Sequence, residues 1–204
     1  MSSVSASHTL LPSHTLSPSR TLLPSRTLLP SHTLRRTKIL EKLRLQPRSH
    51  YLMTTRFKNE NHSEMLAYCA KRGLKCVYSG FTPISDKVPS NVIMFMLEMN
   101  NDQNKIVGIG MLRNNLSEKK HNIYSEEVYN AYTYLGSHRI DRNDMSKEEE
   151  DIMTALDILC FQGKGHIKRC RGITFFPLDM LEKCKKKIDL TEFIRKMFIT
   201  RIRK

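Results

Sequence analysis

The chain of 204 residues has no CxxC pair, no GK[ST] phosphate loop and no apolar run near the ~20 residues that span a bilayer. Its five cysteines, Cys69, Cys76, Cys160, Cys170 and Cys184, are odd in number and show no paired framework. With no signal peptide, that usage indicates free thiols in a reducing, intracellular compartment. Only Cys160, His166 and Cys170 approach metal-ligand spacing, and they do not form the close pairs of a zinc site. No metal and no cofactor is therefore expected. No serine sits in a nucleophile elbow, and no residue is assigned a catalytic role. A lipidation motif is also missing, so membrane insertion is not expected. Acid is scarce in two places: residues 1–50 contain Glu41 alone, and Gly163–Gly172 contains none.

The bases fill those gaps. Residues 1–50 hold eight Lys/Arg, and residues 182–204 hold nine against three acids. Residues 51–163 carry thirteen bases against fifteen acids. The net charge of +14 thus lies at both ends and in one loop, around a middle that is near neutral. This distribution favours an anionic partner such as nucleic acid.

The first 36 residues include a six-residue repeat, SHTLLP, SHTLSP, SRTLLP, SRTLLP and SHTLRR, running from Ser7 to Arg36. Its recurring prolines prevent a continuous helix, and its leucine pairs are too short to build a core. Residues 1–46 read as a disordered repeat tail ending in a short basic helix at Thr37–Leu45. The domain is expected at 51–178, followed by a basic C-terminal helix over 179–204.

Within the domain, Tyr51–Phe57 reads as a strand. Ser63–Arg72 reads as a helix that Ser63 caps and Gly73 stops, with Met65, Leu66, Cys69 and Ala70 on its inner face. Lys75–Ser79 is extended. Asn91–Met99 and Lys105–Arg113 form a hairpin about the turn Asn100–Asn104. Gly108 and Gly110 alternate on one face of its second strand. That spacing suits a barrel kink, or a neighbouring group that approaches closely. A strand is expected over Ala131–Ile140. Ser146 and Glu149 form a capping box for a helix to Gln162, with Ile152, Leu156, Leu159 and Cys160 buried. Gly172–Pro177 is the last strand. Leu190–Ile202 is a basic amphipathic helix with Phe193, Ile194, Met197 and Phe198 as its apolar members.

The segment GKGHIKRCRG at 163–172 is the strongest functional signal. A glycine-framed loop carrying Lys164, His166, Lys168, Arg169 and Arg171 beside a buried strand suits contact with phosphate. Arg56, Lys58, Arg113 and Arg139 stand at strand ends, where they can ring one end of a small barrel with this loop. His138 lies next to Arg139. Tyr132 and Tyr134 are candidates to stack on a base.

The element order, with the glycine strand Ile106-Val107-Gly108-Ile109-Gly110, resembles the PUA-like superfamily, nearest to its EVE and ASCH groups. The resemblance covers about residues 51–178. The chain is also similar to uncharacterised proteins of large DNA viruses, which leaves cytoplasm, nucleus and viral factory as its locations. The resemblance implies an α+β fold: a small β-barrel with flanking helices that binds RNA or a modified base. Related YTH readers hold a methylated base in a cage that includes tryptophan. This chain has none, so a cage here would be built from Tyr and Phe. Non-catalytic binding of RNA or single-stranded DNA is the leading expectation. The alternatives are a hydrolase acting on nucleic acid or nucleotides in an ASCH-like cleft, or an adaptor that engages a protein through the C-terminal helix.

Overall fold

The computed structural model describes residues 50–203; the repeat tail and the short helix expected at 37–45 lie outside the described residues. Six strands form one curled, mixed sheet, a half-barrel with four helices packed on it. In chain order they are β1 (His50–Phe57), α1 (Asn59–Arg72), β2 (Cys76–Gly80), β3 (Ile93–Asn100), β4 (Lys105–Leu116), β5 (Tyr132–Asp141), α2 (Lys147–Phe161), β6 (Thr174–Phe175), α3 (Leu178–Lys185) and α4 (Leu190–Ile202). The strand order is β2-β5-β4-β3-β1-β6, and β1–β3 is the parallel pair.

Strand β3 is apolar almost throughout because both its faces are covered. One face buries Leu52, Phe95, Leu97, Met99, Ile109 and Ile140 against α2 and α4. The other buries Met53, Phe57, Met94, Met96 and Leu112 against Met65 and Cys69 of α1. Register shifts at Glu98/Met99 and after Met111 bend the ladder and help the sheet curl.

Several elements differ from their expected form. Helix α1 begins at Asn59, and Ser63 lies inside it with its hydroxyl donating to the Asn59 carbonyl at 2.9 Å. Leu66 and Ala70 face solvent, while Met65 and Cys69 face the sheet. In α2 the Ser146/Glu149 capping box forms as expected. Its buried residues are Met153, Leu156, Cys160 and Phe161, and Leu159 is exposed. The rotation is set by Asp157, which accepts the Ile106 N–H at 2.7 Å and pairs with Arg142. That anchor turns 153, 156 and 160 inward. Strand β6 has only two residues, and the following segment includes α3, which the sequence reading left as part of one basic helix.

The C-terminal helix α4 belongs to the core. Leu190, Ile194, Met197 and Phe198 are buried, and Phe198 stacks on Phe95 with ring centroids 5.4 Å apart. Arg201 holds Glu149 at 2.6 and 2.8 Å. The apolar face of α4 is thus occupied by the sheet.

Candidate nucleic-acid interface

The basic loop is pinned along its inner edge. Gly163 and Gly172 adopt φ of 74° and 67°, the left-handed region that side chains disfavour, so they let the chain turn out and back. Between them, the Ile167 N–H donates to the Cys160 carbonyl at 2.9 Å, and the Ile167 side chain is buried. Arg56 clasps the segment at its middle and at its C-terminal end. Its Nε and Nη2 donate to the Ile167 carbonyl at 3.3 and 3.2 Å. Its Nη1 donates to the Gly172 carbonyl at 3.3 Å and to Thr174 Oγ1 at 2.6 Å. Lys168 Nζ donates to Asn104 Oδ1 at 2.7 Å, and Asn101 Nδ2 donates to the Lys168 carbonyl at 3.3 Å. Gly163-Lys164-Gly165 and Arg169-Cys170-Arg171 are left exposed.

Strand β6 pairs only with Met53 and Thr54, so among the described residues the outer edge of β1 beyond Thr54 lacks a strand partner. A cleft of about 690 Å³ opens there, lined by Thr55 to Lys58, by the loop residues His166 and Lys168–Gly172, and by Asn101. Glu60, Asn61 and Glu64 of α1 also line it, as do Tyr124, Glu126 and Tyr129. The cleft therefore carries two kinds of charge: cations from Lys58, Lys168, Arg169 and Arg171, and carboxylates from Glu60, Glu64 and Glu126. The sequence reading anticipated its cationic half. It missed Asn101, the tyrosines Tyr124 and Tyr129, and the three acids. Tyr124 and Tyr129 belong to the tyrosine-rich segment, which was their available signal.

Of the expected contact residues, Arg56, Lys58, His166, Lys168, Arg169 and Arg171 meet in this cleft, with Arg56 spent on holding the loop. Lys164 is exposed but does not line it. Arg113 is a correction. Arg56 is in register with Met99 and Arg113 with Ile93, six residues apart along β3, so they lie at opposite ends of the sheet, about 20 Å apart. Antiparallel pairing of β3 and β4 is the reason. Arg113 instead donates to the Asn91 carbonyl at 2.9 Å. His138, half-buried, pairs with Ser137 Oγ at 2.9 Å.

Tyr134 is also a correction. It is 3% exposed, and its Oη accepts the Ile84 N–H at 2.9 Å, so no base can stack on it. Tyr132 is half-buried and packs against the same core.

Arg139 was expected at a phosphate and lies instead in a buried ionic cluster. Glu98 is fully buried, and Arg139 grips it with Nε at 2.9 and 3.1 Å and Nη2 at 2.7 Å. Tyr78 Oη donates to Glu98 Oε1 at 2.7 Å, and Asp141 takes the remaining Arg139 nitrogen at 2.8 Å. His62 Nε2 stands 3.5 Å from Glu98. The two glycines of β4 make room for this cluster. A Cβ on Gly108 would lie 2.6 Å from both Arg139 Nη2 and Glu98 Oε2, and one on Gly110 would overlap the Tyr78 hydroxyl. The close-approach reading of these glycines applies, and the group that approaches is the protein's own.

Burial pushes the Glu98 carboxyl up, but the nearby His62 and the hydrogen bonds from Arg139 and Tyr78 outweigh it and hold the group below its ordinary value of 4.5. At Asp141, burial is likewise outweighed by the Asn143 N–H and Arg139, which keep it below its ordinary 3.8. A depressed folded value gives stability that is present above the unfolded value and lost as pH falls through the folded one. The cluster's contribution to the urea midpoint is thus expected to be level above about pH 5 and to drop below about pH 4, which the difference between the parent and a Glu98→Leu/Arg139→Met chain reads. A difference that climbs as acid is added would contradict this cluster.

The described residues contain no group of three or more His, Cys, Asp or Glu placed to hold a metal ion. No family model, no curated protein and no solved structure matches the chain.

Proposed function

We propose that this protein binds nucleic acid without catalysis, as RNA or single-stranded DNA, through the cleft beside β1. The observation that carries the reading is the exposed Arg169-Cys170-Arg171 segment, held by Arg56 at the mouth of a cleft of about 690 Å³. Arg56 holds the backbone from which these two guanidinium groups project, and their planar forks match phosphate oxygens. A PUA-like relationship is part of the same proposal. The curled sheet with Gly108 and Gly110 on β4 supports it.

The test is a salt titration. Changing Lys168, Arg169 and Arg171 together to Gln should reduce the log–log salt slope by two to three contacts' worth, about 0.7 each for a single strand. Thermal stability should stay within about 1 kcal/mol, since Arg169 and Arg171 are exposed and Lys168 gives up one exposed hydrogen bond to Asn104. Cys170 supplies a local readout, because Cys69, Cys76 and Cys160 are buried and Cys184 is half-buried. Bound oligonucleotide should slow alkylation of Cys170. An unchanged slope in a folded triple variant, with no protection of Cys170, would move the site elsewhere.

The carboxylates in the cleft favour a second reading, a hydrolase acting on nucleotides or nucleic acid. It predicts phosphate or nucleotide release that Glu60→Gln or Glu126→Gln abolishes. Pure binding predicts intact ligand after prolonged incubation.

A further inference from the structure

The curl of the sheet brings its two ends together. Strand β2 stands at one end of the strand order and β6 at the other, yet the residue after β2 touches the residue that ends the basic loop. An ideal Cβ on Gly172 would lie 3.4 Å from Phe81 Cε1 and 4.0 Å from Phe81 Cδ1, so the edge of that ring lies against the loop backbone.

Phe81 belongs to neither apolar cluster of the core. It keeps 37% of its surface exposed, and among the described phenylalanines and tyrosines it alone is exposed. Tyr129, which lines the cleft, meets it at 78° with ring centroids 6.1 Å apart. A T-shaped contact orients a ring and takes at most one of its faces. A single exposed apolar residue is ordinary on a protein surface, but this one has a cation beside it. Arg171 is exposed, lines the cleft and precedes Gly172, with consecutive Cα atoms ~3.8 Å apart. A guanidinium and an open ring thus stand together at the rim of the cleft.

That pairing matches the two parts of a nucleotide. The phosphate suits the guanidinium fork, and the flat base suits the ring. A base inside a duplex is already stacked by its neighbours, so an unpaired one is the species that can be laid on a side chain. Resting on the binding reading above, we propose that Phe81 is the platform on which one unpaired base of a strand stacks, with its phosphate on Arg171 and with Tyr129 setting the angle of the ring.

The chain has no tryptophan, so a Phe81→Trp variant carries a single indole emitter at the platform. The full-length variant is titrated with oligothymidine and with an abasic strand of the same number of phosphates. Oligothymidine should quench the indole emission, and the abasic strand should bind without quenching it. A Phe81→Leu chain, shown to be folded by circular dichroism, keeps apolar bulk and loses the ring face. It should bind oligothymidine about tenfold more weakly than the parent does and bind the abasic strand equally well. An equal loss on both strands would mean that Phe81 holds the loop rather than a base, and overturns the inference. Undiminished oligothymidine affinity in Phe81→Leu, or indole emission that bound oligothymidine leaves unaltered, overturns it too and leaves phosphate binding standing, with the exposed ring assigned to a protein contact. If neither strand binds the parent, the binding reading and the platform fall together.

Discussion

An Arg139→Met chain is expected to lose about 3–5 kcal/mol of folding stability, a large part of what a domain of this size has. The cause is the carboxylate left behind. Glu98 sits fully buried at the centre of the sheet, and three of its short contacts come from Arg139. Without that guanidinium, Glu98 keeps the Tyr78 hydroxyl and the more distant His62, too little to hold a charge away from water. Urea denaturation of the variant should show the loss directly. Pairing the change with Glu98→Leu should recover most of it, since removing both charges removes the unpaired one. If the single variant is as stable as the parent, the ionic cluster is not what holds this face together.

An Arg56→Lys chain should lose its ordered loop while keeping its positive charge. Arg56 reaches two carbonyls and one hydroxyl from three nitrogens, and a lysine ammonium cannot span that set. The expected destabilisation is about 1.5–3 kcal/mol, the range for lost hydrogen bonds to a charged group. Hydrogen exchange should quicken in 163–172 while the β3–β4 hairpin stays protected. Oligonucleotide affinity should fall with it, because Arg169 and Arg171 act from the position that the clasp sets. Faster exchange with unchanged affinity would separate the loop's order from its role.

Sequence periodicity reveals those parts of the fold that depend on near neighbours. The hairpin over Ile93–Leu116 announces itself through two apolar runs about a polar turn, and the Ser146/Glu149 capping box through spacing of three. The fate of individual charges depends on partners far along the chain. Arg139 meets Glu98 across 41 positions, and only the register of three strands, with glycines at 108 and 110, brings them together. Arg113 and Arg56 look alike as strand-end cations until strand direction separates them. The cationic loop is legible because its composition is local. The acids that share its cleft come from two other segments and leave no local mark. Helix α3 is hidden by the lysine run at its end, although Met180, Leu181 and Cys184 pack it against the core.

The stack of Phe198 on Phe95 joins the middle of the sheet to a residue near the end of the chain. On a ribosome, β5 is complete at Asp141, yet the face that carries Leu52, Phe95, Leu97 and Ile140 lacks α4 until residue 198 has been made. Those 57 further residues take roughly 3–11 s at ~5–20 residues per second. For that interval a nascent chain carries an open apolar sheet, so this protein is expected to engage chaperones during synthesis until α4 can dock.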